Sequence, residues 1–114
     1  MSCIVREALP CHTAGKTWYG FNFNVTEVDP EGVETPVDLT GATLEVEFKR
    51  TPGGTVRLLL GEGDYTIDGE DAEVLARDPE DFDLGEGDWL VDVNVTWPNG
   101  DVDPVLLLTL EVHL

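Results

Sequence analysis

The run Trp89-Leu90-Val91-Asp92-Val93-Asn94-Val95-Thr96 alternates side chains along its whole length. Trp89, Val91, Val93 and Val95 fall on one side, and Leu90, Asp92, Asn94 and Thr96 on the other. A period of two belongs to a β-strand with one buried and one wet face, because successive side chains point to opposite faces of a pleated chain. Trp89 sits in the apolar row, so its place is the core. Immediately downstream, Pro98-Asn99-Gly100-Asp101 carries hairpin chemistry, and Asn-Gly suits the paired positive φ values of a type I′ turn. The strand beyond it is expected over about Val105 to Val112, with Leu106, Leu108, Leu110 and Val112 on one face.

The same period recurs upstream. In Thr43 to Lys49, Leu44, Val46 and Phe48 oppose Thr43, Glu45, Glu47 and Lys49. In Trp18 to Thr26, Tyr19, Phe21, Phe23 and Val25 oppose Asn22, Asn24 and Thr26. Turn chemistry separates these runs at Asp29-Pro30-Glu31-Gly32, Thr51-Pro52-Gly53-Gly54, Gly61-Glu62-Gly63-Asp64 and Asp68-Gly69-Glu70-Asp71. Thr55 to Leu60 and Tyr65 to Ile67 complete hairpins, and Glu73 to Arg77 suits a strand or a single helical turn. Asp78 to Gly87 is acidic and is expected to be irregular. About seven strands with turns roughly every ten residues, and no convincing helix, predict an all-β, antiparallel sandwich or barrel. Residues 17–114 form the single expected domain. Residues 1–16 hold Pro10, Gly15 and both cysteines, and are expected to be an irregular arm or first strand.

The chain has 114 residues, 24 of them acidic and 6 Lys or Arg, for a net charge of −18. That balance excludes ordinary nucleic-acid binding, since phosphates repel it, and docking on anionic membranes. Its hydrophobic fraction of 41% is ordinary and strictly patterned, which excludes a disordered acidic chain. The first residues lack a basic stretch followed by a long apolar run, and Val105 to Leu108 is too short to span a membrane, so a cytosolic setting with reduced thiols is expected.

Chemistry-bearing patterns are sparse. Cys3 and Cys11 are the only cysteines, with His12 as the one close further ligand, and this spacing fits closed zinc sites poorly. His12 and Cys11, as neighbours on a strand, would point to opposite faces. Paired carboxylates for glycoside hydrolysis have no specificity among so many acids. The acidic stretches 62–73 and 78–88 do not match a calcium-loop pattern. Gly61-x-Gly63 and Gly85-x-Gly87 are flanked by acids that repel phosphate. Neither metal nor cofactor is therefore expected. Trp18 and Trp97 fall at strand ends and would serve as a sugar-stacking platform in a carbohydrate-binding module. Alternatively, the acids mimic DNA against a basic partner, although they concentrate in loops rather than in one row.

Asp38-Leu39-Thr40-Gly41-Ala42, followed by the strand Thr43 to Arg50 and the turn Pro52-Gly53-Gly54, begins a recognisable series. It continues in Leu84-Gly85-Glu86-Gly87-Asp88-Trp89-Leu90-Val91-Asp92-Val93 and Trp97-Pro98-Asn99-Gly100. In order and spacing, residues 17–112 resemble small tailed-bacteriophage virion proteins of the baseplate upper protein N-terminal domain family. The final strand departs from the family, reading Leu106-Leu107-Leu108-Thr109 where a glycine often follows paired leucines. The resemblance implies an immunoglobulin-like β-sandwich without catalysis. It implies an adaptor, attachment or decoration module in a virion, assembled in the bacterial cytoplasm. Its partners would be capsid, neck, tail or baseplate proteins and symmetric copies of itself. Cys3, Ile4, Val5 and Leu9 of the arm, with Trp18 and Trp97, are the expected partner-binding residues.

Overall fold

The computed structural model describes residues 5–114, and the fold is all-β. The longest hairpin organises it. β10 (Gly87–Thr96) runs antiparallel to β11 (Val102–His113), and β10 pairs on its other side with β6 (Thr43–Lys49). Their inward rows are Trp89, Val91, Val93 and Val95 from β10, Leu44, Val46 and Phe48 from β6, and Leu108, Leu110 and Val112 from β11, all buried. Alternation alone decides these faces. Burying apolar surface contributes about 25 cal/mol per Å², so these rows stabilise the sheet and fix its register.

β7 (Leu58–Leu60) closes one edge of this sheet against β6. The other edge is formed from the segment expected to be an irregular arm or first strand. From Val5 onward the segment is part of the sheet: β1 (Val5–Ala8) and β2 (His12–Thr13) both pair with β11, and both run parallel to it. The sheet is therefore mixed, not purely antiparallel, with β1-β11-β10-β6-β7 as its order. No hairpin joins β1 to β11, so no tight turn imposes an antiparallel direction.

A second sheet is formed by β3 (Phe21–Asn24), β9 (Asp71–Val74) and β8 (Tyr65–Asp68), with β9 central. Its inward residues Phe21, Phe23, Ala72, Val74, Tyr65 and Ile67 join the same hydrophobic cluster as the large sheet. β4 (Thr26–Val28) and β5 (Glu34–Pro36) make a small separate hairpin. Eleven strands thus replace the expected seven among the described residues. Val25 turns into the core and splits the expected strand 18–26 into β3 and β4. Of the stretch Glu73 to Arg77, Glu73 and Val74 end β9 and Arg77 forms an isolated bridge to Trp18, with no helical turn between them. The stretch 78–87 holds one 3-10 turn, Pro79–Asp81, followed by buried Phe82 and Leu84.

Three local departures have identifiable causes. Val93 opposes Leu106 but Asn94 opposes Pro104, so Val105 is an extra residue in β11. This bulge puts Val105 and Leu106 on the core side together. It sits beside Pro104, which cannot donate to the ladder. The turn after β10 is built on Pro98 and Asn99: the Gly100 amide donates to Trp97 O at 2.9 Å, and Gly100 takes φ 95°. No non-glycine residue here has positive φ, and proline's ring excludes it at Pro98, so the turn is not type I′. Finally, Gly20 at φ 70° redirects the chain, burying Trp18 and leaving Tyr19 82% exposed, off the apolar row expected for it.

Asp38 holds the loop entering β6. Its Oδ1 accepts from the Thr40 amide at 3.0 Å and the Thr40 hydroxyl at 2.7 Å, while Leu39 is wholly buried. The hydroxyl, then the amide, holds the Asp38 carboxyl below its ordinary 3.8. The stabilisation this gives is present above that ordinary value and is lost as pH falls through the lowered one.

Two predictions follow from these contacts. A Cβ on Gly20 would lie 1.9 Å from Val74 O, whereas one on Gly15 meets nothing, although both glycines have positive φ. Gly15→Ala is expected to cost about 1 kcal/mol and Gly20→Ala about 3 kcal/mol or more, read from denaturant midpoints. Thr40→Ala is expected to move the Asp38 titration upward toward 3.8, followed by carboxyl-carbon NMR; an unmoved titration would refute the Asp38–Thr40 contact.

Candidate functional site

Of the six expected partner-binding residues, Leu9, Trp18 and Trp97 do not form one surface. Cys3 and Ile4 lie outside the described residues. Val5 opens β1 opposite Leu106. The Leu9 amide donates to Thr109 O at 2.8 Å, and its side chain packs on the core. Trp18 is buried, which corrects its expected exposure: its ring stacks on Phe82 at 4.3 Å and meets Phe48 edge-on at 5.7 Å. Its backbone exchanges two hydrogen bonds with Arg77. Trp97 is half-buried at the far hairpin, where its Nε1 donates to Asp103 Oδ2 at 2.7 Å. Trp18 and Trp97 therefore build no common stacking platform, because the Gly20 kink turns Trp18 inward.

The arrangement suited to binding is the outer face of the large sheet. Across β7, β6, β10 and β11 the register aligns Leu59, Glu47, Asp92 and Leu107 in one row, with Lys49, Leu90 and Thr109 in the next. Leu59 is 55% exposed, Leu90 and Leu107 are half-buried, and nearby Val56 is exposed. Lys49 Nζ contacts Asp92 Oδ2 at 2.5 Å, and Asn94 Nδ2 donates to Glu47 Oε1 at 3.2 Å. The hydrogen bond to Asp92, reinforced by the charges of Asp92 and Glu47, raises the Lys49 pKa above its ordinary value, so this cation is fixed on the face. The face ends at β7, whose free edge offers unpaired backbone groups; among the described strands only β6 pairs with it. Leu59 was not singled out in the sequence. Its signal was faint: a three-leucine strand next to a glycine-rich turn, with the middle leucine forced outward by alternation.

The outer face of the small sheet is wholly polar. Asn22, Glu73 and Thr66 form one row and Asn24, Asp71 and Asp68 the next, bordering a shallow concavity of about 570 Å³ beside Phe23.

At the β2 end, His12 turns inward as alternation requires, edge-on to Phe82 at 5.1 Å, while Cys11 stays exposed. Burial pushes the His12 pKa down, and its Nε2 has no hydrogen-bond partner. Among the described residues, only Cys11, Glu111 and His113 bring three metal-ligating side chains together; the two acidic loops do not.

No protein-family model matches the chain, and no curated protein matches it. The likeness to phage virion proteins thus stands on the order of its motifs alone.

The two tryptophans separate by experiment. Trp18→Ala is expected to cost about 3–5 kcal/mol, because it empties the core between the sheets, and Trp97→Ala only about 1–2 kcal/mol. Equal losses in urea unfolding would refute the structural role assigned to Trp18.

Proposed function

We propose that the chain is a non-enzymatic structural protein of a tailed-phage virion, an adaptor, attachment or decoration module with an immunoglobulin-like sandwich. It docks through the outer face of its large sheet onto head, neck, tail or baseplate neighbours, or onto copies of itself. The observation that carries this reading is the continuity between the free β7 edge and the outward leucines Leu59, Leu90 and Leu107. An unpaired edge accepts a neighbour's strand through its backbone, and adjacent apolar side chains add area that water does not compete for. The Lys49–Asp92 pair and Glu47 between those leucines supply register, since a neighbour must match them to dock.

The order of the motifs supports the same reading. The first and last lie close together: a Cβ added at Gly41 would stand 3.4 Å from Pro98 Cγ. The middle one frames Trp89, whose Nε1 donates to Gly85 O at 2.8 Å and whose ring carries Arg50 at 3.8 Å. These motifs serve as corners of a scaffold, which is the use an adaptor domain makes of them.

The test is quantitation of the chain in purified particles from cells that produce it. The wild-type chain is expected to sediment with particles at a fixed ratio to the capsid protein. Leu59→Lys is expected to fold with an unchanged denaturation midpoint and to lower incorporation at least about tenfold, the equivalent of roughly 1.4 kcal/mol. A wild-type chain abundant in lysate but missing from particles would overturn the virion role. Normal incorporation of Leu59→Lys would overturn the docking face.

A further inference from the structure

Alternation along two neighbouring strands places a cysteine, a glutamate and a histidine on one spot. β2 lies parallel to β11 with His12 opposite Val112 and Thr13 opposite His113. His12 and Val112 point inward and are buried, so Cys11, Glu111 and His113 project from the outer side. The Leu9 amide on Thr109 O at 2.8 Å and the Ala14 amide on His113 O at 2.6 Å pin the segment on either side of Cys11. The three side chains thus stand on anchored backbone, although Cys11 and Glu111 are 100 residues apart in sequence.

Their ligand atoms lie close enough for one ion to draw them together. Cys11 Sγ is 3.8 Å from Glu111 Oε2, His113 Nε2 is 3.3 Å from Glu111 Oε1, and all the ligand atoms lie within 4.8 Å of one another. Tetrahedral zinc with bonds of about 2.0–2.3 Å sets its ligands roughly 3.3–3.8 Å apart. Charge favours a cation at the same place. Asp88 of β10 stands directly opposite Glu111, and like charges facing each other across a ladder are destabilising. Among the described residues no Lys or Arg side chain ion-pairs with either carboxylate.

We propose that Cys11, Glu111 and His113 form a three-ligand zinc site on the outer surface, with water in the fourth position. Thiolate and imidazole select a borderline-soft ion, whereas calcium and magnesium want oxygen alone. Zinc takes the Cys11 sulfur as thiolate, so binding releases the thiol proton to solvent. The site joins β2 to β11, so zinc also clamps the edge of the large sheet. It is independent of the virion role.

The test uses the full chain with its thiols kept reduced, titrated with Zn²⁺ by calorimetry and with Co²⁺ by absorption. The expected result is saturable binding of about one Zn²⁺ per chain, and with Co²⁺ the thiolate charge-transfer band of a tetrahedral sulfur-ligated ion. Cys11→Ser is expected to abolish that band, and it and His113→Ala should each weaken Zn²⁺ binding at least about tenfold. Cys3→Ser should leave both signals unchanged. All three ligands are exposed, so each variant is expected to keep the wild-type circular dichroism spectrum. Absence of saturable binding, or binding indifferent to Cys11→Ser, would overturn the site and assign any uptake to the acidic surface at large.

Discussion

The two sheets are joined by stacked aromatic rings. Trp18 lies face to face with Phe82, and Phe48 of the large sheet meets both edge-on. Arg77 secures this joint from the other side. Its backbone bridges Trp18, its Nη1 pairs with Asp64 at 2.5 Å, and its Nε donates to Asp81 O at 3.0 Å. One residue thereby ties the small sheet, the turn before β8 and the 3-10 turn to a ring stack reaching into the large sheet. Aromatic contacts of this kind contribute about 0.5–1.5 kcal/mol each beyond the area they bury. Everything on the two outer faces depends on the sheets being held in this way.

The strands that alternation could identify are those whose partners sit on regular ladders. β6 and β10 have the faces the sequence predicts, down to Phe48 and Val95, because burial on one side and water on the other impose a strict period. The row Leu106, Leu108, Leu110 and Val112 faces the core as expected, but the prediction missed two single-residue events: Val105 inserts into β11 and is buried beside that row, and Gly20 exchanges the faces of Trp18 and Tyr19. Neither event leaves a periodic trace. The parallel pairing of β1 and β2 was hidden for a different reason, since strands joined only through the rest of the chain carry no local turn signal. The same holds for the candidate sites. Leu59 points outward through its register with Glu47, and His113 reaches Cys11 through β11, so both surfaces come from pairing rather than from motifs.

The charge of −18 acquires a structural meaning on this frame. Three Lys or Arg ion pairs are formed among the described residues, so most carboxylates face water. A protein with an open edge and outward leucines is prone to pair with itself at random. Acids on the same face such as Glu45, Glu47 and Asp92 oppose such encounters, while a partner bearing the complementary charge is drawn in.

The parallel pairing of β1 with β11 also bears on how the body transmits force. Pulling the chain that enters β1 away from the chain that leaves β11 draws two adjacent strands past each other along their length. The backbone hydrogen bonds between Val5–Ala8 and Leu106–Thr109 then share the load in shear and must give way together, whereas a hairpin pulled at its open end peels one bond at a time. Tension along that line loads these bonds together rather than one after another.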